Sequence, residues 1–309
     1  MREPDVSSRQ NPRFKEALAL RDARERRRRG LIIVDGAREV GRALDAGVVL
    51  RETWIATERV RSDAARALLP RVAADAATIE TTPELLARLA YGDRDEGLVA
   101  VFERPAADLG SVAAALPERP LIAVMEQVEK PGNLGALLRS ADGAGVDAVI
   151  AADPVSDIWN PNAIRASLGT IFSTPIAACT SDEALAFLRD LDVAVLAARV
   201  EGAIDYDSVD MTGAVALVVG AETSGLSEAW SGEGVTPVTI PMLGLADSLN
   251  VSASAAGHLY EARRQRRAVA TYPTQGGISM AETMLIVDIA IKPGKVEDFK
   301  AAAAALFER

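Results

Sequence analysis

Three stretches in the second half of the chain put side chains capable of chemistry where apolar runs stop. They are Asn133-Leu-Gly-Ala-Leu-Leu-Arg139, Val218-Val-Gly-Ala-Glu-Thr-Ser-Gly225 and Ile240-Pro-Met-Leu-Gly-Leu-Ala-Asp-Ser-Leu-Asn250. Ends of buried strands are where open α/β sheets bind ligands. Asn133 follows the turn Lys130-Pro-Gly132 and is placed to cap a helix, which would put Arg139 in the second turn with its guanidinium free for a phosphate or a ribose. Gly220 and Gly225 leave the backbone open to a flat ligand, and Glu222 adds a carboxylate at the same edge. Ser248 and Asn250 fall where a long helix is predicted to begin, at about Asp247.

Each motif by itself has a plainer reading. Asn133 and Arg139 could be a cap and a surface cation, Glu222 a charge complementing a helix dipole, and Ser248 and Asn250 caps only. The order and separation of the three together make coincidence a poor explanation.

Runs such as Leu121–Met125, Ala148–Ala152, Val193–Ala197, Val215–Val219 and Val235–Ile240 must position these residues. They are continuously apolar and separated by helical stretches, as in a parallel sheet covered on both faces, giving a doubly wound domain over about 120–270. A smaller α/β unit precedes it. The segment from Asn11-Pro12 predicts one basic helix to about Arg29, stopped by Gly30, with strands at Leu31–Val34, Val48–Ala56 and Val99–Phe102. The stretch 104–119, with Pro105 and Pro117, reads as a connection containing a short helix.

Hydrophobic residues make up 49% of the 309 and aromatics only 4%, so the core must be aliphatic. The apolar run around Ala214–Val219 is far shorter than the roughly 20 residues that span a bilayer, and no apolar signal core opens the chain; a cytoplasmic protein is expected. One cysteine, Cys179, excludes an intramolecular disulfide, and with one histidine, His258, argues against a zinc site; no metal is expected. Cys179 reads as a core or subsurface thiol and His258, between Gly257 and Leu259, as a packed structural residue. A net charge of −10 argues against a generic nucleic-acid coat. Local charge differs: Arg13, Lys15, Arg26, Arg27, Arg28 and Arg29 form one basic patch, and Arg263, Arg264, Arg266 and Arg267 a second.

In this order and spacing the three motifs resemble the signatures of the SpoU/TrmH family of SPOUT-class RNA ribose methyltransferases. The resemblance covers roughly residues 11–270 and implies a trefoil-knotted parallel-sheet catalytic domain at 106–270, behind a smaller N-terminal α/β RNA-binding domain at 1–105. It further implies transfer of a methyl group from S-adenosylmethionine to the ribose 2'-hydroxyl of ribosomal or transfer RNA, with no metal, in a homodimer whose partner can complete the site around the catalytic Arg. Asn133, Arg139, Glu222, Ser248 and Asn250 take the catalytic positions. Val219, Gly220, Ala221, Ile240, Met242 and Leu249 take the cofactor positions. Arg13, Lys15 and Arg26 to Arg29 would grip RNA. A guanidinium with a pKa above about 12 is a poor base, so Arg139 suits phosphate positioning and charge stabilisation, and alignment should dominate the rate.

Two other readings compete. A knotted RNA-binding protein without catalysis would be expected to lose some of the five catalytic positions, and all five are present. A dinucleotide-dependent enzyme lacks the Gly-x-Gly-x-x-Gly after a strand. The last segment, 271–309, reads as a linker followed by a strand, Met284–Ile291, and a helix; it resembles the opening of a ferredoxin-like dimeric domain of the antibiotic-biosynthesis-monooxygenase type.

Overall fold

The computed structural model describes residues 4–91, 96–200, 203–221 and 224–271, with the side chains of Asp75 and of 269–271 left aside. The strand and helix predicted within 271–309 lie outside the described residues, as does Glu222.

The basic N-terminal segment is not one helix. Asn11 accepts from the amides of Arg13 and Phe14 and, with Pro12 in the first turn, starts α1 (Pro12–Ala19). Asp22 then accepts from the amides of Arg24 and Glu25 and starts α2 (Ala23–Arg29), which ends on left-handed Gly30. The Asp22 side chain takes up amides that a continuous helix would need, so the chain breaks there.

The strands β1 (Leu31–Asp35), β2 (Leu50–Ile55), β3 (Ala77–Glu80) and β4 (Leu98–Glu103) form a mixed sheet in the order β1-β4-β2-β3. Only β2 and β3 pair in parallel. The helices α3 (Ala37–Asp45), α4 (Asp63–Asp75) and α5 (Pro83–Leu89) connect them. Gly97 turns the chain into β4 at φ +80°, where a Cβ would stand 2.5 Å from the Val60 amide nitrogen; no other residue fits.

After α6 (Leu109–Ala115) the second sheet begins with β5 (Leu121–Glu126), followed by α7 (Pro131–Ala144), β6 (Ala148–Ala152), α8 (Pro161–Ala166), β7 (Ile176–Cys179) and α9 (Ser181–Asp190). It continues through β8 (Ala194–Ala198), β9 (Ile204–Asp205), β10 (Val215–Val219) and β11 (Val235–Thr239) to the 21-residue α10 (Val251–Thr271). All seven strands pair in parallel, in the order β7-β6-β5-β10-β8-β11-β9. Every residue of β5, β6 and β10 is buried. Their alternate side chains meet opposite layers: Ile122, Val124, Ala216 and Val218 pack with α9 and Trp230, whereas Ala123, Met125, Leu217 and Val219 pack with α7 and α10. This is the doubly covered parallel sheet that the apolar runs predict.

The two sheets are joined through buried charge. Arg26, 0% exposed, donates from Nε to Asp157 at 2.7 Å and from Nη1 to the carbonyls of Leu20 and Arg21 at 2.9 Å each. Arg26 is therefore not an RNA contact, as the run of arginines suggested; its guanidinium closes the break between α1 and α2 and ties it to the loop after β6. Arg165 beside Asp35 (3.3 Å) and Arg42 on the carbonyl of Leu168 (2.9 Å) extend the junction. In the second basic cluster, Arg266 is likewise structural and donates to the carbonyls of Met211, Arg119 and Pro120 at 3.0 Å each.

Removing one partner of a buried ion pair strands the other charge, at a cost of about 3–5 kcal/mol. Urea denaturation should show a loss of that size for Arg26→Ala or Asp157→Ala, and a change within about 0.5 kcal/mol for the exposed neighbour Arg27→Ala. Equal small effects for all three would contradict the junction.

Candidate functional site

The carboxyl ends of β8, β10 and β11 and the amino end of α10 enclose a cavity of about 550 Å³. That lies within the usual range of small-molecule sites, and strand ends of a parallel sheet are the usual location. Val219, Gly220, Ala221, Ile240, Met242, Ser248 and Leu249 all line it. The walls also include residues that the motifs did not single out for the site, among them Arg199, Asp247 and His258. The position of Arg199 just past an apolar strand was a usable signal; nothing local distinguished His258.

Gly220 is required by close approach rather than by φ. A Cβ there would stand 2.2–2.5 Å from the carbonyl of Gly225 and the nitrogen of Leu226. Ala221 and Gly225 exchange hydrogen bonds in both directions, 3.1 and 3.0 Å, which holds the strand end tight against this segment. Glycine at 220 thus lets the end of β10 and the backbone of Gly225 and Leu226 meet directly, which fixes this edge of the cavity.

Glu126, the last residue of β5, fixes the next part of the segment. It is fully buried and accepts from Ser181 Oγ (2.7 Å), Ser227 Oγ (2.6 Å) and the Ser227 amide (2.8 Å). A buried carboxylate is tolerated when its oxygens are satisfied in this way. It links the strand that leads into the first motif to the residues that follow the second. Arg199 adds a second anchor, donating to the Ser227 carbonyl at 3.1 Å and to Ser231 Oγ at 2.6 Å.

The motif residues do not all converge. Asn133 lines a narrow recess beside the cavity, together with Glu129, Lys130, Gly220 and Ala221. It is not the helix cap: Pro131 opens α7, Lys130 holds the cap position, and Asn133 lies within the first turn. Arg139 is exposed on α7 and lines neither the cavity nor the recess. The third motif also begins its helix later than the sequence predicts. Residues 247–250 are coil, and Asn250 accepts from the Ser252 amide (3.1 Å) and hydroxyl (2.6 Å), so α10 starts at Val251. The side chain of Asn250 works as a cap, while Ser248 faces the cavity.

On the N-terminal patch, Arg13 pairs with Glu52 (2.8 Å) and Lys15 donates to Gln10 (2.6 Å). Arg28 and Arg29 both pair with Glu25, whose carboxyl is held down at about 2, chiefly by its hydrogen bonds with Arg28. Arg27 is exposed. Cys179 is half-buried, and burial is the main cause of its thiol being pushed up to about 11, which leaves it protonated and unreactive. Among the described residues no cluster of His, Cys, Asp or Glu is placed to hold a metal.

His258 is 1% exposed, packs edge-on to Tyr206 at 5.4 Å and has its Nδ1 2.8 Å from the Ser254 carbonyl oxygen. Burial lowers its pKa.

The SpoU rRNA methylase family model matches residues 120–260, and the MRM3-like substrate binding domain matches residues 11–100. A 23S rRNA (uridine(2479)-2'-O)-methyltransferase of Streptomyces viridochromogenes is 34% identical over 83% of this chain and 91% of its own. A 23S rRNA (guanosine(2553)-2'-O)-methyltransferase of Bacillus subtilis is 27% identical over 84% and 98%. Among solved structures, the SpoU methyltransferase AviRb of Streptomyces viridochromogenes, in complex with the cofactor AdoMet, superimposes with a TM-score of 0.78 at 32% identity, covering 84% of this chain and 99% of that one.

Two outcomes follow from this geometry. Leu249→Arg, which puts a large charged side chain into the cavity from a position 43% exposed, should abolish measurable S-adenosylmethionine binding in calorimetry with little change in thermal midpoint; retained affinity would remove this cavity from cofactor binding. The second concerns pH. The folded chain holds His258 with a lowered pKa, so the unfolded chain binds more protons near the ordinary histidine value of about 6.5. Stability is then complete above that value and lost as pH falls through it. The thermal midpoint should drop between about pH 7 and 5.5, and His258→Phe should flatten that slope.

Proposed function

The chain belongs to the SpoU rRNA methylase family, and from that premise we propose that it methylates a ribose 2'-hydroxyl of ribosomal RNA at the cavity between β8, β10 and β11. The observation that carries the reading is a cavity of suitable size at the strand ends whose walls include every residue in the cofactor positions of the motifs. S-adenosylmethionine, when bound, supplies an electrophilic methyl group on a sulfonium, so the protein needs no metal to activate the donor.

The chain's own task is alignment. Backbone at Gly220 and Ala221, with Ile240, Met242 and Leu249, would hold the cofactor, and Glu126 and Arg199 keep that segment in place. Asn133 and Ser248, at the recess and the cavity wall, would orient the ribose. Glu222 is assigned a polar role at the same edge on the strength of its motif alone.

Arg139 lies on the outer face of α7, away from its own chain's cavity, and Leu243 and Leu245, on the loop that leads from the cavity, are fully exposed. We infer a homodimer in which these leucines are covered and Arg139 reaches the partner's site. The N-terminal module would grip the RNA backbone with Arg13, Lys15, Arg27, Arg28 and Arg29, and without Arg26. Among the described residues no helix is long and apolar enough to cross a membrane, and we place the chain in the cytoplasm with its RNA.

Labelled methyl transfer to total ribosomal and transfer RNA tests the reading. Ribosomal RNA should be labelled at ribose, with a loss of at least about a hundredfold in Arg139→Ala, the usual cost of removing one charge-stabilising donor. Mixing Arg139→Ala with Leu249→Arg should restore part of the activity if each site draws Arg139 from the other subunit. Cofactor binding without labelling of any RNA would instead favour a chain that holds RNA and does not methylate it.

A further inference from the structure

His258 is the only histidine of the chain and sits two turns into α10, seven residues after Val251. It is almost completely buried, yet it lines the cavity. Its Nδ1 lies 2.8 Å from the carbonyl oxygen of Ser254, one turn earlier on the same helix. A carbonyl oxygen only accepts, so Nδ1 must carry the proton and donate. In the neutral ring this leaves the lone pair on Nε2. Nε2 is buried and has no hydrogen-bond partner among the described residues. The Tyr206 ring, edge-on at 71°, holds the imidazole in place.

The structure thus presents an uncharged acceptor without a partner, covered in this state, on a residue of the cavity wall. Leaving such an atom unsatisfied is a standing cost that a donor on a bound molecule would remove. We propose that His258 is a specificity residue of the cofactor site, accepting at Nε2 a hydrogen bond from the exocyclic amino group of the adenine ring. This rests on the reading of the cavity as the S-adenosylmethionine site. The choice among the cofactor's donors follows from charge. The ammonium group needs a carboxylate, and among the described lining residues that is Asp247, which is exposed. The apolar part of the lining includes Val238, Ile240 and Val251, and Ile240 lies against Gly257 on the turn of α10 that carries His258, a setting in which a neutral amine and a neutral acceptor can meet without stranding a charge.

A single histidine makes the test direct. In the ¹⁵N-labelled full chain the one imidazole should be in the Nδ1–H form, and adding S-adenosylhomocysteine should shift the Nε2 resonance while Nδ1 stays protonated. Calorimetry then compares S-adenosylhomocysteine with its inosine counterpart, in which a carbonyl replaces the amino group. The wild-type chain should prefer the adenosyl compound, and His258→Phe, which keeps an aromatic ring, should reduce that preference about three- to tenfold, the usual worth of one neutral hydrogen bond. If the variant does not fold, the resonance of the unaltered protein decides. An Nε2 resonance unmoved by a ligand that binds, or moved equally by both ligands, or an unchanged preference in the variant, overturns the assignment and leaves the cofactor reading standing. Failure of the wild-type chain to bind S-adenosylhomocysteine overturns the cofactor reading itself, and this inference with it.

Discussion

Seven strands run parallel under cover on both faces, and a sheet buried in this way leaves only the ends of its strands available for chemistry. Much else in the molecule follows from this constraint. Interior positions of β5, β6 and β10 are filled by Ala, Val, Ile, Leu and Met because layers from opposite sides must meet there. The residues with special tasks stand where strands stop: Glu126 closes β5, Arg199 follows β8, Gly220 follows β10, and Ile240 and Pro241 follow β11. A cavity forms where the ends of β8, β10 and β11 lie together.

Charge taken out of water holds the parts in register. Glu126 is surrounded by the hydroxyls of Ser181 and Ser227 and by a backbone amide, so the segment beyond Gly225 cannot drift from β5 without exposing an unsatisfied carboxylate. Arg26 does the same between the two sheets, spending its donors on Asp157 and on carbonyls freed by the break after α1. Neither group needs to be a strong net source of stability to act this way; loss of either partner is costly, and the cost falls on one geometry only. His258 differs from both, with one ring nitrogen satisfied and the other buried without a partner in a residue of the cavity wall.

Much of the catalytic sheet was legible because continuous apolar runs of strand length are hard to place anywhere else. The strands that went unread, β3, β7 and β9, are short, and β9 is a two-residue exposed edge with no apolar signal to find. The single basic helix expected to run on to Arg29 failed at Asp22, where a side-chain cap outcompeted helical propensity. Asn250 shifted the start of α10 by the same kind of local hydrogen bond. Arg26 was misread because its neighbours are exposed arginines and its partner is 131 residues away.

The sequence by itself determined the five longer strands of the catalytic sheet, the three motifs at strand ends and, through their spacing, the family. These are local properties, written in apolar periodicity and in glycine, proline and capping residues. Only the tertiary structure decided which motif residues meet. Asn133 and Gly220 come together because β5 and β10 are neighbours in the sheet, while Arg139 turns away because α7 buries its other face on that sheet. It also decided that one arginine of a run is a buried tie and that a histidine in the middle of a helix borders a cavity, because burial and an unpaired lone pair are set by residues distant in the chain.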